Sequence, residues 1–313
     1  MDIIAVEARA ADKEKSSAAL SSVVAAVALT SFKVIVGLLT GSLGILAEAA
    51  HSSLDLVAAL VTFFAVRVSG KPADHEHLYG HGKIENLSAL FETFLLLATC
   101  VWIISEAIKR LFYQDVAVEA NIWSFIVMAT SIVIDYTRSR ILYRAARKHN
   151  SQALEADALH FSTDIWSSSV VIGGLICVLV ANQFSSLAFL SKADSIAALG
   201  VALIVIYVSI ELGMRTIRGL LDTAPNGSVE RVKEIVEGLP GVVDCHNVRI
   251  RTAGPSLFVD VHVLVDGKQS LEEAHALTEE IERVIKAAYP ASDVTVHPEP
   301  AAHTGPNLDG AGI

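Results

Sequence analysis

Cysteine is scarce: Cys100, Cys177 and Cys245 are the only three in 313 residues. That excludes a disulfide framework and a zinc ribbon. No A-x-A-like cleavage site closes the first apolar window, although Arg9, Lys13 and Lys15 precede it and Gly41-Ser42 leads straight into the next. The window therefore reads as a retained helix and not as a signal peptide. No HExxH occurs, so the simplest zinc-hydrolase signature is missing. Charged residues make up only 19% of the chain, against 52% hydrophobic and a mean hydropathy of +0.50. A soluble globular protein of this length is not that apolar.

What the chain has instead is apolar length. A membrane-spanning helix needs about 20 largely apolar residues. Six windows qualify: Leu20–Leu39, Leu43–Val66, Ile84–Ile108, Ala120–Tyr143, Ala158–Ala181 and Asp194–Met214. Basic residues crowd one side of them. Arg9, Lys13 and Lys15 precede span 1, and Arg67, Lys71 and Lys83 follow span 2. Arg138 and Arg140 stand at the end of span 4 and Arg144, Arg147 and Lys148 follow it, and Arg215 and Arg218 follow span 6. The other side holds Lys109, Arg110 and Lys192. The positive-inside rule places both termini in the cytoplasm.

From Leu221 the character turns charged and alternating. Residues 222–313 hold 15 Asp and Glu against 7 Lys and Arg, a net −8 within the chain total of −10. An acidic domain suits divalent cations and does not suit nucleic acid or anionic lipid. Helix signals cover Val229–Glu237, stopped by Gly238-Leu239-Pro240-Gly241, and a second helix runs from a Ser270 cap to about Tyr289. Val242–Arg251, Leu257–Val265 and Asp293–His297 alternate as strands, with a turn at Ala253-Gly254-Pro255. The αββαβ order suits one antiparallel sheet with helices on one face. The segment after Pro298 reads as a disordered end. The expected organisation is a cytoplasmic segment at 1–19, a six-helix transmembrane domain at 20–220, a cytoplasmic α+β domain at 221–299 and a disordered tail at 300–313.

Within span 2 stands HSSLD, with His51 and Asp55 four apart; span 5 repeats the pattern as HFSTD, with His160 and Asp164. Residues i and i+4 share one helix face. Read alone, such a pair serves equally as interhelical hydrogen-bonding glue, with Ser52, Ser53, Ser162 and Thr163 alongside. Two identical pairs point to a shared role, because intramembrane ionisable groups mark ion pathways. If spans 2 and 5 pack antiparallel, His51 approaches Asp164 and Asp55 approaches His160, giving a four-donor N₂O₂ set. That set suits tetrahedral Zn²⁺, and two carboxylates balance its charge. Metal binding needs neutral His and ionised Asp, so protons compete for the site.

Outside the spans, KPADHEHLYGHGKIENL brings Asp74, His77 and His81 into one loop, where plain solvation is the alternative reading. In the tail, His246, His262 and His297 sit on three strands, with His275 on the amphipathic helix and Glu299 at the end of the last strand. Each could be an isolated surface histidine, or together they could form a His/carboxylate metal site. Cys245 reads as structural. Among the other intramembrane charges, Lys33 and Asp135 read as structural, while Glu48, Glu92 and Asp157 are second-tier candidates for access or proton transfer.

The chain resembles the cation diffusion facilitators, a family of divalent-metal/proton antiporters. The resemblance rests on GSLGILAEAAHSSLD, YGHGKIENL, HFSTD and LLDTAP, and runs from about Ser16 to Pro298. It implies a homodimer of six-helix protomers in the lipid bilayer, each with a ferredoxin-like, metallochaperone-like cytoplasmic domain. It implies a transport site of His51, Asp55, His160 and Asp164, and a loop site of Asp74, His77 and His81. It also implies a tail site of His246, His262, His275, His297 and Glu299, the last standing where another member carries Asp. The His/Asp arrangement on both helices is typical of zinc-preferring members; Fe²⁺, Co²⁺, Cd²⁺ and Mn²⁺ are alternatives, Mn²⁺ the weakest because it favours oxygen-rich sites. The histidine-rich loop of many vesicular eukaryotic members is absent between spans 4 and 5, which points to a prokaryotic plasma membrane.

Export of zinc in exchange for protons is thus the expected function. A non-transporting metal-sensing or scaffold partner is the alternative, and an intramembrane metalloenzyme ranks third because no general base pairs with the cluster.

Overall fold

The computed structural model describes residues 3–112, 122–183 and 193–301. The side chains of Arg9, Arg110, Cys177, Lys192 and Asp194, and the end of the chain from residue 302, lie outside the described residues. The chain divides into two units, Met1–Ile217 and Arg218–Ile313.

The first unit is helical: α1 (Ile3–Thr40), α2 (Leu43–Ser69), α3 (Lys83–Phe112), α4 (Ile122–His149), α5 (Gln152–Gln183) and α6 (Ala193–Leu220). Every apolar window of the sequence falls in one of these helices apart from Ala120 and Asn121, which lie outside the described residues, and the helices outrun the windows at most other ends because polar residues continue the hydrogen-bonded turns. The α1–α2 corner shows how the sequence sets a boundary. Gly41 takes φ +64°, where a side chain is disfavoured, and Ser42 Oγ then accepts from the Ile45 amide as N-cap of α2.

Helix α1 packs on α2 and α4, α4 on α5, and α3 on both α2 and α5. Helix α6 joins through Leu212 against Ala89 and Ala156, and through Val205 against Leu96 and Cys100. The buried contacts are rich in small residues, among them Ala19, Ala58, Ala59, Ala153, Ala156 and Ala158, which let helix backbones approach closely. Leucine, isoleucine, valine and phenylalanine side chains line the outside, as lipid requires.

Among the described residues, α1, α2, α3 and α6 are long and apolar enough to cross a membrane by composition alone. The sequence windows put α4 and α5 in the same class. Helix α4 carries Asp135 and Arg138, buried between helices, and α5 carries Glu155, Asp157, His160 and Asp164 in its first half. Those residues lower hydropathy without facing lipid.

The second unit comprises α7 (Ser228–Glu237), β1 (Val242–Ala253), β2 (Ser256–Val265), α8 (Leu271–Ala288) and β3 (Ser292–Pro300). Its sheet has the order β1-β2-β3. The αββαβ order stands, but the sheet is mixed and not wholly antiparallel: β1 and β2 pair antiparallel, while β2 and β3 pair parallel. The cause is the connection. A tight turn reverses the chain between β1 and β2, whereas α8 carries it back across the sheet, so β3 runs the same way as β2. Strand β3 also extends through Pro300, beyond the expected end at His297, and the Ala301 amide donates to the Val265 carbonyl at 2.8 Å.

Alternate strand residues Val259, Val261, Val263 and Val265 pack with Cys245, Ile250 and Val294 against Val232 and Val236 of α7 and Ile281 and Ile285 of α8. The opposite face of β2 carries Asp260 and His262. Helix α8 begins with a capping box in which Ser270 and Glu273 satisfy each other's backbone amides.

Candidate metal-binding sites

The two HxxxD motifs meet. His51 and Asp55 lie mid-way along α2, and His160 and Asp164 lie one turn apart on α5. His160 Nε2 stands 3.2 Å from Asp55 Oδ1 and 3.8 Å from Asp164 Oδ2. His51 Nε2 stands 3.9 Å from both Asp164 Oδ1 and Asp55 Oδ1. The crossed pairing, 51 with 164 and 55 with 160, follows from α2 and α5 running in opposite directions. Zinc bonds of about 2.0–2.2 Å in a tetrahedron separate the donors by roughly 3.3–3.6 Å. The observed spacings of 3.2–3.9 Å bracket that range. Asp55, His160 and Asp164 by themselves form a cluster able to hold a metal ion.

The cluster has a side open to a cavity and a buried side. His51, Asp55 and Asp164 line a cavity of about 290 Å³ together with Lys33, Glu48 and Trp102. His51 is 30% exposed, whereas His160 is only 5% exposed. Lys33 Nζ donates to Glu48 at 3.2 Å and to Ser52 Oγ at 2.8 Å. Glu92 and Asp157 are fully buried. Thr62 Oγ1 donates to Glu92 Oε1 at 3.2 Å, and Ser22 Oγ donates to Asp157 Oδ2 at 3.4 Å. Asp135 is paired with Arg138 at 3.2 Å, and the Arg138 guanidinium stacks 3.4 Å from the centre of the Phe161 ring.

The loop after α2 closes on itself through Asp74. Its Oδ1 accepts the backbone amides of His77 at 2.7 Å and Glu76 at 3.0 Å, and lies 3.3 Å from His77 Nδ1. Its Oδ2 lies 3.4 Å from His81 Nε2. The His77 amide, more than any other group, holds the Asp74 carboxyl below its ordinary range. The His77 and His81 rings stand 4.3 Å apart, and these three residues form a second cluster fit for a metal ion. Gly80, at φ +76°, makes the bend between the two histidines.

In the second unit, sheet register sets the third cluster. His246 pairs with His262 across the β1–β2 ladder, and His262 pairs with His297 across the β2–β3 ladder. Glu299, two residues beyond His297, is on the same face of β3. Its carboxylate accepts from His262 Nδ1 at 2.6 Å and lies 3.4 Å from His246 Nε2 and 3.7 Å from His297 Nε2. The His262 hydrogen bond is the main cause that lowers the Glu299 carboxyl below its ordinary value. His246, His262 and Glu299 form the cluster; His297 adjoins it, its ring 4.7 Å from that of His262. His275 is elsewhere: it is exposed on α8 and pairs with Glu279 at 3.6 Å. Cys245 points into the core, where burial raises its thiol to about 11.

Several partners of these residues carry no signature in the sequence. Asp244 Oδ2 lies 3.2 Å from His246 Nδ1, and Asn247 Nδ2 lies 3.1 Å from His262 Nε2, both next to the β-bulge between His246 and Arg249. A buried node centres on Glu85, which takes Lys15 Nζ at 3.0 Å, Ser69 Oγ at 2.9 Å and Ser151 Oγ. The signal for it was a carboxylate, inside YGHGKIENL, at the start of an apolar window.

Comparison with known proteins covers both units. A family model described as the cation efflux transmembrane domain matches residues 19–221, and one described as the cation efflux protein cytoplasmic domain matches residues 224–301. The cation-efflux pump FieF of Cronobacter sakazakii is 32% identical over 288 residues, covering 92% of this chain and 93% of the relative. FieF of Yersinia enterocolitica is 32% identical over 289 residues, covering 91% and 93%. Among solved structures, a chain of the proposed zinc transporter CzrB is 34% identical, with a TM-score of 0.24, over 25% of this chain and 98% of its own. A MamM CTD chain is 25% identical, with a TM-score of 0.22, over 23% and 91%.

Proposed function

Since this chain belongs to the cation efflux family, and is by that a cation efflux transporter of the membrane, we propose that it exports a divalent metal, zinc first, from the cytoplasm in exchange for protons. The observation that carries this reading is the crossed meeting of the two HxxxD motifs at donor spacings suited to a tetrahedral ion. Fe²⁺, Co²⁺ and Cd²⁺ fit the same donors less well, and Mn²⁺ least.

Proton exchange follows from the donor set. Two carboxylates and two imidazoles hold either one dication or several protons, and metal binding requires the protons to leave. The same ring nitrogens and carboxylate oxygens take either metal or protons, so a proton gradient shifts the balance. The cavity lined by His51, Asp55 and Asp164 gives the ion a path on one side. Glu48 on its wall is a candidate for access, and Glu92 and Asp157 for proton transfer. The loop cluster of Asp74, His77 and His81 serves as relay or gate.

The tail cluster of His246, His262, His297 and Glu299 takes regulatory zinc, and His275, exposed on α8, joins such a site from a second protomer. Both termini lie in the cytoplasm of a prokaryotic inner membrane, and the working form is a homodimer. No catalytic step is assigned to the cluster. A metal-sensing scaffold would leave the paired motifs without a task.

The deciding experiment is transport by the purified protein in proteoliposomes, across a panel of divalent ions with an imposed pH gradient. Zinc uptake that follows the proton gradient supports the reading; uptake indifferent to it would remove the antiport, and no uptake of any ion would leave the scaffold.

A further inference from the structure

The two ring nitrogens of His160 have unlike surroundings. Nε2 faces the metal donors, 3.2 Å from Asp55 Oδ1 and 3.8 Å from Asp164 Oδ2. Nδ1 points away from them, buried and without a hydrogen-bond partner. Opposite it, 3.9 Å away, is Oε2 of Glu92, also buried and also without a partner. Buried polar atoms are almost always paired, so two unpaired ones facing each other across 3.9 Å ask for a common explanation.

Glu92 is well placed to supply it. The residue is fully buried on α3, and its other oxygen, Oε1, is held at 3.2 Å by Thr62 Oγ1 from α2. It thus differs from Glu48, which lines the cavity and is neutralised by Lys33. An imidazole can ligate through Nε2 only when that nitrogen carries no proton, so the neutral ring keeps its proton on Nδ1. Metal-bound histidines commonly donate that proton to a carboxylate, which fixes both tautomer and ring angle.

We propose that Glu92 is a positioning residue for His160, its Oε2 accepting the Nδ1 proton so that Nε2 is free for the metal. His160 Nε2 lies 3.2 Å from Asp55 Oδ1, and the 3.9 Å gap from Nδ1 to Glu92 Oε2 exceeds a hydrogen bond by about 1 Å. A small ring rotation, drawn by metal at Nε2, closes it. Thr62 keeps the carboxylate from following other partners. This inference rests on the transport-site reading given above.

The test is the zinc dissociation constant of the purified full-length protein, by chelator competition, in a His77→Ala, His262→Ala background that removes donors from the other two clusters. Glu92→Ala should weaken zinc binding roughly 10–100-fold, the usual loss when such a partner is removed. Glu92→Gln retains an acceptor oxygen and should stay within about threefold of the parent. Thr62→Val, which only loosens the carboxylate, should fall between them. The zinc-free melting temperatures of the Gln and parent proteins should agree, separating positioning from folding.

Parent-like binding by Glu92→Ala overturns the proposal, as does an equal loss in Glu92→Gln and Glu92→Ala. If Glu92→Ala does not fold, Thr62→Val with parent-like affinity overturns it alone. His160→Ala serves as the separate control: if it too binds zinc like the parent, the transport-site reading itself fails, and not only the part played by Glu92.

Discussion

Cys245 and His246 are neighbours with opposite surroundings, because successive residues of β1 point to opposite faces. His246 stands in the cluster with His262 and Glu299, whereas Cys245 is in the core, its thiol raised to about 11 by burial and by the nearby Glu237 carboxylate. The thiolate is the reactive form, so Cys245 of the folded protein should resist maleimide at pH 7–8 and become reactive on unfolding. Rapid labelling of the native protein would contradict its place in the core. The adjacent pair CH looks like a ligand pair in the sequence; only strand alternation separates the two.

At the scale of elements, the Glu85 node ties α1, the end of α2 and the segment before α5 to the first turn of α3 through one carboxylate. Lys15 has no outlet to solvent there, since 1% of it is exposed, and it pairs also with Asp12 at 3.1 Å. Glu85→Ala should destabilise the helical unit by up to about 3–5 kcal/mol, because it leaves the buried Lys15 ammonium with only the partly exposed Asp12 as its charge partner. Replacing both partners, Lys15→Met with Glu85→Leu, should restore much of that loss. Thermal melts of the two variants in one detergent check this; equal melting temperatures would show that the node bears little. The helices themselves were legible in the sequence, because apolar length and flanking charge leave few other readings. The node was not, since its members are 15, 69, 85 and 151 in the chain and share no local pattern.

At the scale of the whole molecule, the three clusters lend themselves to different tasks. Asp55→Ala or Asp164→Ala should abolish transport, while His262→Ala or His297→Ala should raise the zinc concentration needed and leave the maximal rate nearly unchanged. Initial rates against zinc concentration in proteoliposomes distinguish the two; an equal loss of maximal rate in both groups would sink the division. The tail has its own pH dependence. Glu299, Glu273 and Glu280 all have carboxyl values lowered by hydrogen bonds in the folded state, from an ordinary 4.5. Their stabilising effect is fully present above about pH 4.5 and is lost as the pH falls through their lowered folded values. The protection of α8 and β3 amides, taken relative to their intrinsic exchange rate at each pH, should therefore fall below that pH and be steady from pH 5 to 7.

The six helices, the αββαβ order and the two HxxxD faces are written in local periodicity and spacing along the chain. Tertiary structure decided what those patterns could not contain. The opposed directions of α2 and α5 brought His51 to Asp164 and Asp55 to His160. The crossover through α8 made β3 parallel to β2, and register then aligned His246, His262 and His297 while leaving His275 on the far helix. Burial decided which charges face a cavity and which, like Glu92, stand behind His160. The physical reason is common to all three: spacing along a chain fixes which face a residue shares, but only packing between elements fixes which face it meets.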